Sequence, residues 1–484
     1  MHKILAGYVG TTLLSALVLS GCGGGSDGPD PKPVPPQPPV ETGPSQVATW
    51  LTTTDQSMLF QKSTQVLNFK DGTTSGATIV VDTTTTYQGI DGFGYTLTGG
   101  SATLIHQLPD ANRAALLREL FATDDTNIGT SYLRISIGAS DLSERPFTYN
   151  DLPAGQTDPT LEKFTLAEEQ KDLLPVLREI LAINPDLKIL GSPWTAPPWM
   201  KTNGSYKGGS LKAEYYSVYA QFFVKYLKSM QAEGVRLDAI TVQNEPLHDG
   251  NNPSMHMTAA QQAVFIGTYL GPALQAAGLS TKIILYDHNA DRTDYPLEIL
   301  ANATANKYAD GSAFHLYGGS IDALTQVHNA YPSKNVYFTE QWIGGPGNFA
   351  GDFGWHIGTL IIGATRNWSR NVLEWNLAAD QNYGPHTEGG CSTCLGALTI
   401  NGGTVSRNPA YYVIAHASKF VRPGSVRIDT NLPGTLPNVA FKNPNGQKVL
   451  IVQNTGATQT FSIAYRGKEA TTTLASGSVA TYVW

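Results

Sequence analysis

From Gly92 onward, short apolar runs alternate with amphipathic stretches along the chain. Eight runs have strand length and β-branched or aromatic character: GFGYTLT from Gly92, YLRISIG from Tyr132, LKILGSPW from Leu187, AITVQNEP from Ala239, KIILYDHN from Lys282, GSAFHLYG from Gly311, NVYFTEQW from Asn335 and NVLEWNLA from Asn371. Between them lie helical patterns such as AEYYSVYAQFFVKYLKSMQAEG, with Gly234 as its C-terminal stop, and a last helix is expected from about Pro409 to Phe420. Strictly alternating strand and helix implies a parallel sheet covered by helices. A doubly wound sheet is the competing topology, but eight consecutive units, nearly all with polar residues at the strand end, favour a (β/α)8 TIM barrel of the α/β class over residues 86–421.

The flanks follow other rules. Beyond Arg422 the period becomes two, with regular turns, in VAFKN, KVLIVQNTG, QTFSIAYR and SVATYVW, so residues 422–484 read as strands of a small sandwich. Residues 46–85, with QVLNF and ATIVVD, supply two or three more strands that have no partners of their own. They are expected to pair with the C-terminal strands, giving a side β-sandwich domain built from both chain ends. Residues 22–45 are dominated by Gly and Pro (PDPKPVPPQPP) and predict an extended spacer. Ahead of it, His2 and Lys3, the apolar stretch Leu13 to Leu19 and Leu19-Ser20-Gly21-Cys22 look like a bacterial lipoprotein signal over residues 1–21, with Cys22 as the lipidation site. An ordinary cleaved signal peptide is the alternative, and the apolar run is too short to span a bilayer. Either reading puts the chain outside the cytoplasm; the first makes it a lipid-anchored protein of the cell envelope, touching membrane only through its N-terminus.

Composition narrows the partners. Of 484 residues, 32 are basic and 39 acidic, a net charge of −7 with no basic block, which argues against nucleic acid as a partner. The 22 tyrosines and 8 tryptophans exceed what a core alone demands; sugar faces stack on such rings, although packing is their commoner use. Cys391 and Cys394, in GGCSTC, are expected to form a short-loop disulfide in an exported chain. A free or metal-binding pair is the alternative, but no histidine cluster accompanies them, and a redox pair would open a helix rather than sit in a Gly-rich loop.

The candidate chemistry lies at the strand ends. Pro246 restricts the residue before it, so Glu245 is expected to be extended where the fourth strand gives way to loop. Glu340 ends the seventh. Two strands that each deliver a glutamate to their C-terminal end suggest an acid and base pair in a barrel. Arg134, in the middle of the second strand, carries a charge that cannot be buried unpaired; it is a candidate for keeping Glu340 ionised, with a structural salt bridge elsewhere as the alternative. His315 and Tyr317 share one side of the sixth strand and are candidates to hydrogen-bond the surroundings of Glu340, unless His315 is a core histidine. Asp287, His288 and His248 lie at other strand mouths without an assigned role. With no His-x-x-x-His or Cys/His spacing, neither a catalytic metal nor a cofactor is expected.

Five motifs in order, LRISIGASDLS (Leu133 to Ser143), GSPWTAPPWMKTNG (Gly191 to Gly204), TVQNEP, FHLYG (Phe314 to Gly318) and TEQW (Thr339 to Trp342), resemble glycoside hydrolase family 30, the family of glucosylceramidases and endo-β-1,6-glucanases. The resemblance implies a (β/α)8 barrel with a side β-sandwich and a retaining mechanism with Glu340 as nucleophile and Glu245 as acid/base. It also implies that Asn244 binds the 2-hydroxyl of the reacting sugar and that Asp141, Trp194 and Trp375 bind hydroxyls and form the floor of a glucose site. The first strand departs from the family pattern: GFGYTLTGGSA has Tyr95 and no acid where members often show GFGG or GFGA followed by Thr-Asp. The expected substrate is a β-linked glucan or glucoside, first of all β-1,6-glucan. Glucosylceramide, a β-xyloside or a β-fucoside is the alternative within the class, and a non-catalytic polysaccharide-binding lipoprotein the alternative outside it.

Overall fold

Each of the eight apolar runs forms a strand, and in the computed structural model, which describes residues 46–72 and 76–484, the eight close into a barrel. They are β1 (Gly92–Leu97), β2 (Tyr132–Ile137), β3 (Lys188–Pro193), β4 (Ala239–Thr241), β5 (Lys282–Ala290), β6 (Ala309–Gly319), β7 (Asn335–Glu340) and β8 (Ser369–Asn376). Every neighbouring pair is parallel, and β8 pairs with β1 to close the ring. Cys22, the apolar segment 1–21 and the Pro/Gly-rich segment 22–45 lie outside the described residues.

Alternation along the strands positions the site. A buried apolar layer inside the barrel takes Tyr132, Leu190, Ala239, Ile284, Ala313, Tyr337 and Leu373, one residue from each of β2 to β8. Two residues further along six of those strands come Arg134, Ser192, Thr241, His315, Thr339 and Trp375, all buried on the same inward side. The apolar layer seals the barrel below, and the polar layer opens at the C-terminal ends of the strands. β5 breaks the phase. Counting from Ile284, alternation would turn Tyr286 and His288 inward, but the pairing of β5 with β6 is irregular between Tyr286 and His288, where Tyr286 and Asp287 have φ of 73° and 65°. This bulge swings Tyr286 against Tyr295 of the helix Asp294–Ala301 and delivers Asp287 to the barrel interior.

The sandwich joins the two ends of the chain. Strand Gln46–Thr52 pairs antiparallel with the last strand, Val479–Val483. Strand Thr78–Gly89 crosses the sandwich: its first residues pair parallel with Gln459–Tyr465, and the rest antiparallel with Val426–Thr430. It thus runs past residue 85, the expected end of the N-terminal strands, through a Thr-rich stretch that lacks alternation because much of it is exposed. QVLNF yields only the two-residue strand Leu67–Asn68.

Candidate active site

Glu245 stands just beyond β4, but not as Pro246 led us to expect. Its φ is 43°, in the left-handed region, rather than extended. Two backbone hydrogen bonds impose this turn: the Glu245 N–H donates to the Asp287 carbonyl at 2.9 Å, and the His248 N–H donates to the Glu245 carbonyl at 2.9 Å. A non-glycine residue held this way costs about 1–3 kcal/mol and persists only where its surroundings over-determine it. The turn carries the carboxylate over the barrel mouth toward Glu340, at the end of β7. One carboxylate oxygen of Glu245, one of Glu340 and a ring nitrogen of His315 lie within 4.8 Å of one another.

Arg134 organises this group from below. Fully buried, it donates from Nη1 to Glu340 Oε2 at 2.5 Å, from Nη2 to Asn244 Oδ1 at 2.6 Å and to Asp287 Oδ2 at 2.9 Å, and from Nε to Ser192 Oγ at 3.1 Å. Its guanidinium carbon lies 4.9 Å from the ring centroid of Trp194 and 5.7 Å from that of Trp375, which stack on each other at 5.5 Å. Asp287, unassigned from sequence, is the counter-charge. It also accepts from Thr241 Oγ1 at 2.8 Å, Ser192 Oγ at 3.2 Å, Thr339 Oγ1 at 2.7 Å and His315 Nε2 at 3.1 Å. Burial would raise its carboxyl, but Arg134, His315 and Thr339 together hold it far below the usual carboxylate range.

His315 lies between the carboxylates. Its Nδ1 bonds Glu245 Oε1 at 3.0 Å and lies 3.7 Å from Glu340, so it serves the surroundings of Glu340 as expected, with Glu245 as its direct partner there. Burial alone would lower its pKa; the carboxylates of Glu340, Asp287 and Glu245 outweigh that and raise it to about 10, so both ring nitrogens carry protons and donate. The Glu245–His315–Glu340 cluster also has the spacing of a metal site. Tyr317 does reach Glu340, donating its hydroxyl to Oε1 at 2.9 Å.

The two glutamates share their charge environment. Burial drives the Glu340 carboxyl up, with the facing Glu245 adding to it against His315 and Arg134, while for Glu245 burial is overcome by the hydrogen bond and charge of His315. Burial and charge alone would thus make Glu340 the harder of the two to ionise. The hydrogen bonds argue for the opposite order. Both Glu340 oxygens already accept, from Arg134 and Tyr317, whereas Glu245 Oε2 accepts no hydrogen bond among the described residues and is free to carry a proton.

A cavity of about 360 Å³ opens above these groups, lined by Asp141, Trp194, Asn244, Glu245, Tyr317, Glu340 and Trp375 among others. The indole N–H of Trp194 is buried without a partner among the described residues, a donor held ready for a ligand. Cys391 and Cys394 form the disulfide and line the same cavity.

Residues 90–421 match the model of the glycosyl hydrolase family 30 TIM-barrel domain, and residues 424–482 that of the family 30 beta sandwich domain. The chain belongs to glycosyl hydrolase family 30. It is 38% identical over 390 residues to an endo-1,6-beta-D-glucanase of Neurospora crassa, a match covering 76% of this chain and 79% of the relative. It is 36% identical over 395 residues, with the same coverage, to endo-1,6-beta-D-glucanase neg1 of Aspergillus fumigatus. Among solved structures, an endo-beta1,6-glucanase superposes with a TM-score of 0.85 at 36% identity, over 91% of this chain and 99% of that one. The protein is a glycoside hydrolase.

Within this family 30 site, sequence reasoning missed Asp287, Trp342, Asn251 and the cavity position of His248. Trp342 directly follows the TEQ of β7 and had a signal, since an aromatic just past a catalytic strand end meets the substrate side of a barrel. Asp287 was visible only as an unassigned residue at a strand mouth, because the bulge alone turns it inward. His288 lies buried behind Glu245 with Nδ1 unpartnered among the described residues, and burial lowers its pKa to about 4, so it is neutral at pH 7.

Proposed function

We propose that the protein hydrolyses β-1,6-linked glucan by double displacement with net retention of configuration. The observation that carries the mechanism is the spacing of the carboxylates. An approach of 4.8 Å or less between one oxygen of each falls with the roughly 5–5.5 Å of a nucleophile and acid/base pair rather than the roughly 6.5–9.5 Å of an inverting pair. The names of the three relatives above support the linkage.

In the first step a Glu340 oxygen attacks the anomeric carbon while Glu245 gives its proton to the departing glycosidic oxygen. Arg134 keeps the nucleophile anionic until then, and its bond to Asn244 Oδ1 leaves the Asn244 NH₂ to donate to the 2-hydroxyl. Ester formation removes the negative charge of Glu340, so Glu245 ionises more readily and becomes the base that takes a proton from the incoming water. That water attacks the same carbon and frees Glu340.

A panel of β-1,6-, β-1,3- and β-1,4-glucans, xylan, aryl β-glucosides and glucosylceramide tests the substrate, with products separated by chromatography and the first-formed anomer read by NMR. Oligosaccharides from β-1,6-glucan with the β-anomer appearing first are expected. Preference for xylan or glucosylceramide would displace the linkage, an α-anomer would displace the mechanism, and binding without cleavage would make the protein a polysaccharide-capture module. We also propose envelope anchoring through Cys22, supported by Leu19-Ser20-Gly21-Cys22 and the spacer after it. Cys22→Ser should abolish labelled-palmitate incorporation and move the protein out of the membrane fraction.

A further inference from the structure

The disulfide does more than close a surface turn. Residues 387–395 lie across the cavity mouth, joined to the ends of four barrel strands. Thr387 N–H donates to the Asp141 carbonyl at 2.8 Å, and the Thr387 hydroxyl donates to the Asn252 carbonyl in the loop after β4. Cys394–Leu395 pairs antiparallel with Ile343–Gly344 just past β7, and the Gly345 N–H donates to the Thr393 carbonyl at 2.7 Å. At the end of β8, Asn376 Nδ2 donates to the Cys394 carbonyl at 3.4 Å. The loop lies flat on Asp141, since a Cβ on Gly390 would come within 2.4 Å of the Asp141 carbonyl oxygen. Cys394 packs with Leu142, Trp194 and Trp375, while Cys391 and Trp342 lie against that group.

At the centre of these contacts is one donor. The Asp141 carboxylate, 5% exposed and on the cavity wall, receives a hydrogen bond at Oδ2 from the Cys391 N–H at 3.3 Å, its only bond from another residue among those described. Gly389 and Gly390 precede Cys391 directly, and Gly389 has φ of 78°, so the backbone leading to that N–H is permissive. The cross-link restrains it from the far side by bringing the Cα atoms of Cys391 and Cys394 to 5.7 Å, in addition to the Gly390 N–H bond to the Thr387 carbonyl at 3.0 Å.

We propose that the Cys391–Cys394 disulfide is the positioning element for Asp141: it holds the Cys391 N–H on Oδ2 and so leaves Oδ1 without a protein partner and oriented to accept a substrate hydroxyl. Burial and the charge of Glu340 push the Asp141 carboxyl up to about 7, with the Cys391 N–H opposing them, so a shift of that N–H also alters how much of Asp141 is anionic at neutral pH. The proposal rests on the glycosidase reading of the cavity.

The experiment is a two-by-two cycle of parent, Cys391→Ser/Cys394→Ser, Asp141→Asn and the triple variant, with kcat and KM measured from pH 5 to 9 on a β-1,6-linked glucose oligosaccharide or on whichever β-glucoside the parent cleaves. Loss of the disulfide should raise KM about tenfold while kcat changes less than about threefold, and in the Asp141→Asn background it should add less than about twofold. The pH at which kcat/KM inflects near 7 should move in the double-serine variant and be absent from Asp141→Asn. Dithiothreitol on the folded parent should reproduce the rise in KM and reoxidation reverse it, which covers serine variants that fail to fold. An unchanged KM after disulfide loss, or a full tenfold rise that persists in Asp141→Asn, overturns the proposal. A parent that cleaves no β-glucoside overturns the glycosidase reading instead.

Discussion

Arg134 is the residue through which the site becomes one charged unit. It lies under two carboxylates and an amide with no solvent contact, so each partner is held by a cation that cannot relax into water. Asp287 is the permanent counter-charge, and Glu340 is the partner that faces the cavity. Removing Asp287 should therefore damage folding as well as activity. We expect Asp287→Asn to cost about 3 kcal/mol or more in urea unfolding, as breaking a buried pair does, and to lower kcat sharply; a loss under about 1 kcal/mol would contradict the network. The glutamates should separate kinetically. Glu340→Gln should lose turnover more than about a thousandfold with its circular dichroism unchanged, and comparable activity would refute its role. Glu245→Ala should still cleave aryl glucosides with activated leaving groups slowly, and azide should accelerate it, because deglycosylation then no longer needs the missing base.

At the scale of elements, alternation from a single apolar layer accounts for most of the site. Arg134, Ser192, Thr241, His315, Thr339 and Trp375 face the axis because the layer two residues earlier does. That relation is readable once strands are recognised; in the sequence, alternation put His315 and Tyr317 on one side, while Arg134 stood out as a charge in mid-strand. The bulge in β5 and the left-handed turn at Glu245 could not be read, because each depends on backbone hydrogen bonds between separate strands. The helix Pro409–Ser418 carries another buried histidine, His416. His416 Nε2 lies 2.8 Å from Thr52 Oγ1 and Nδ1 2.9 Å from Thr481 Oγ1, pinning the first and last sandwich strands to the barrel. Thr481 donates its own hydrogen to the His416 carbonyl, which assigns Nδ1 as the donor and Nε2 as the acceptor of a neutral ring. Burial lowers its pKa to about 3, below the roughly 6.5 of the unfolded chain. Between those values the unfolded state binds the extra proton, so this stability is present above about pH 6.5 and lost as pH falls toward 3. The urea midpoint of the parent should thus fall more steeply between pH 6.5 and 4 than that of His416→Gln; parallel curves would show that the ring contributes nothing.

Over the whole molecule, barrel and sandwich share a core. Val439, Phe441, Val449, Ile451 and Val479 of the sandwich belong to the same buried cluster as the barrel's Phe93, Leu133 and Val372, with Phe93 and Phe441 in edge contact at 6.4 Å. A common core couples their unfolding, and calorimetry should record one transition. Deleting residues 46–62 removes the strand beside Val479–Val483 and the hydroxyl that meets His416, so it should lower that transition by several degrees, and two resolved peaks in the parent would argue for independent units.

The order and spacing of apolar runs by themselves determined the eight strands, the barrel, the pairing of the chain ends and the two glutamates at strand mouths, because period and polarity are local properties that the chain carries wherever it goes. Only the tertiary structure decided which groups answer each other. Asp287 beneath Arg134, His315 against Glu245 and the Cys391 amide on Asp141 each join residues 70 to 250 positions apart, through bulges and turns held by contacts that no window of sequence contains.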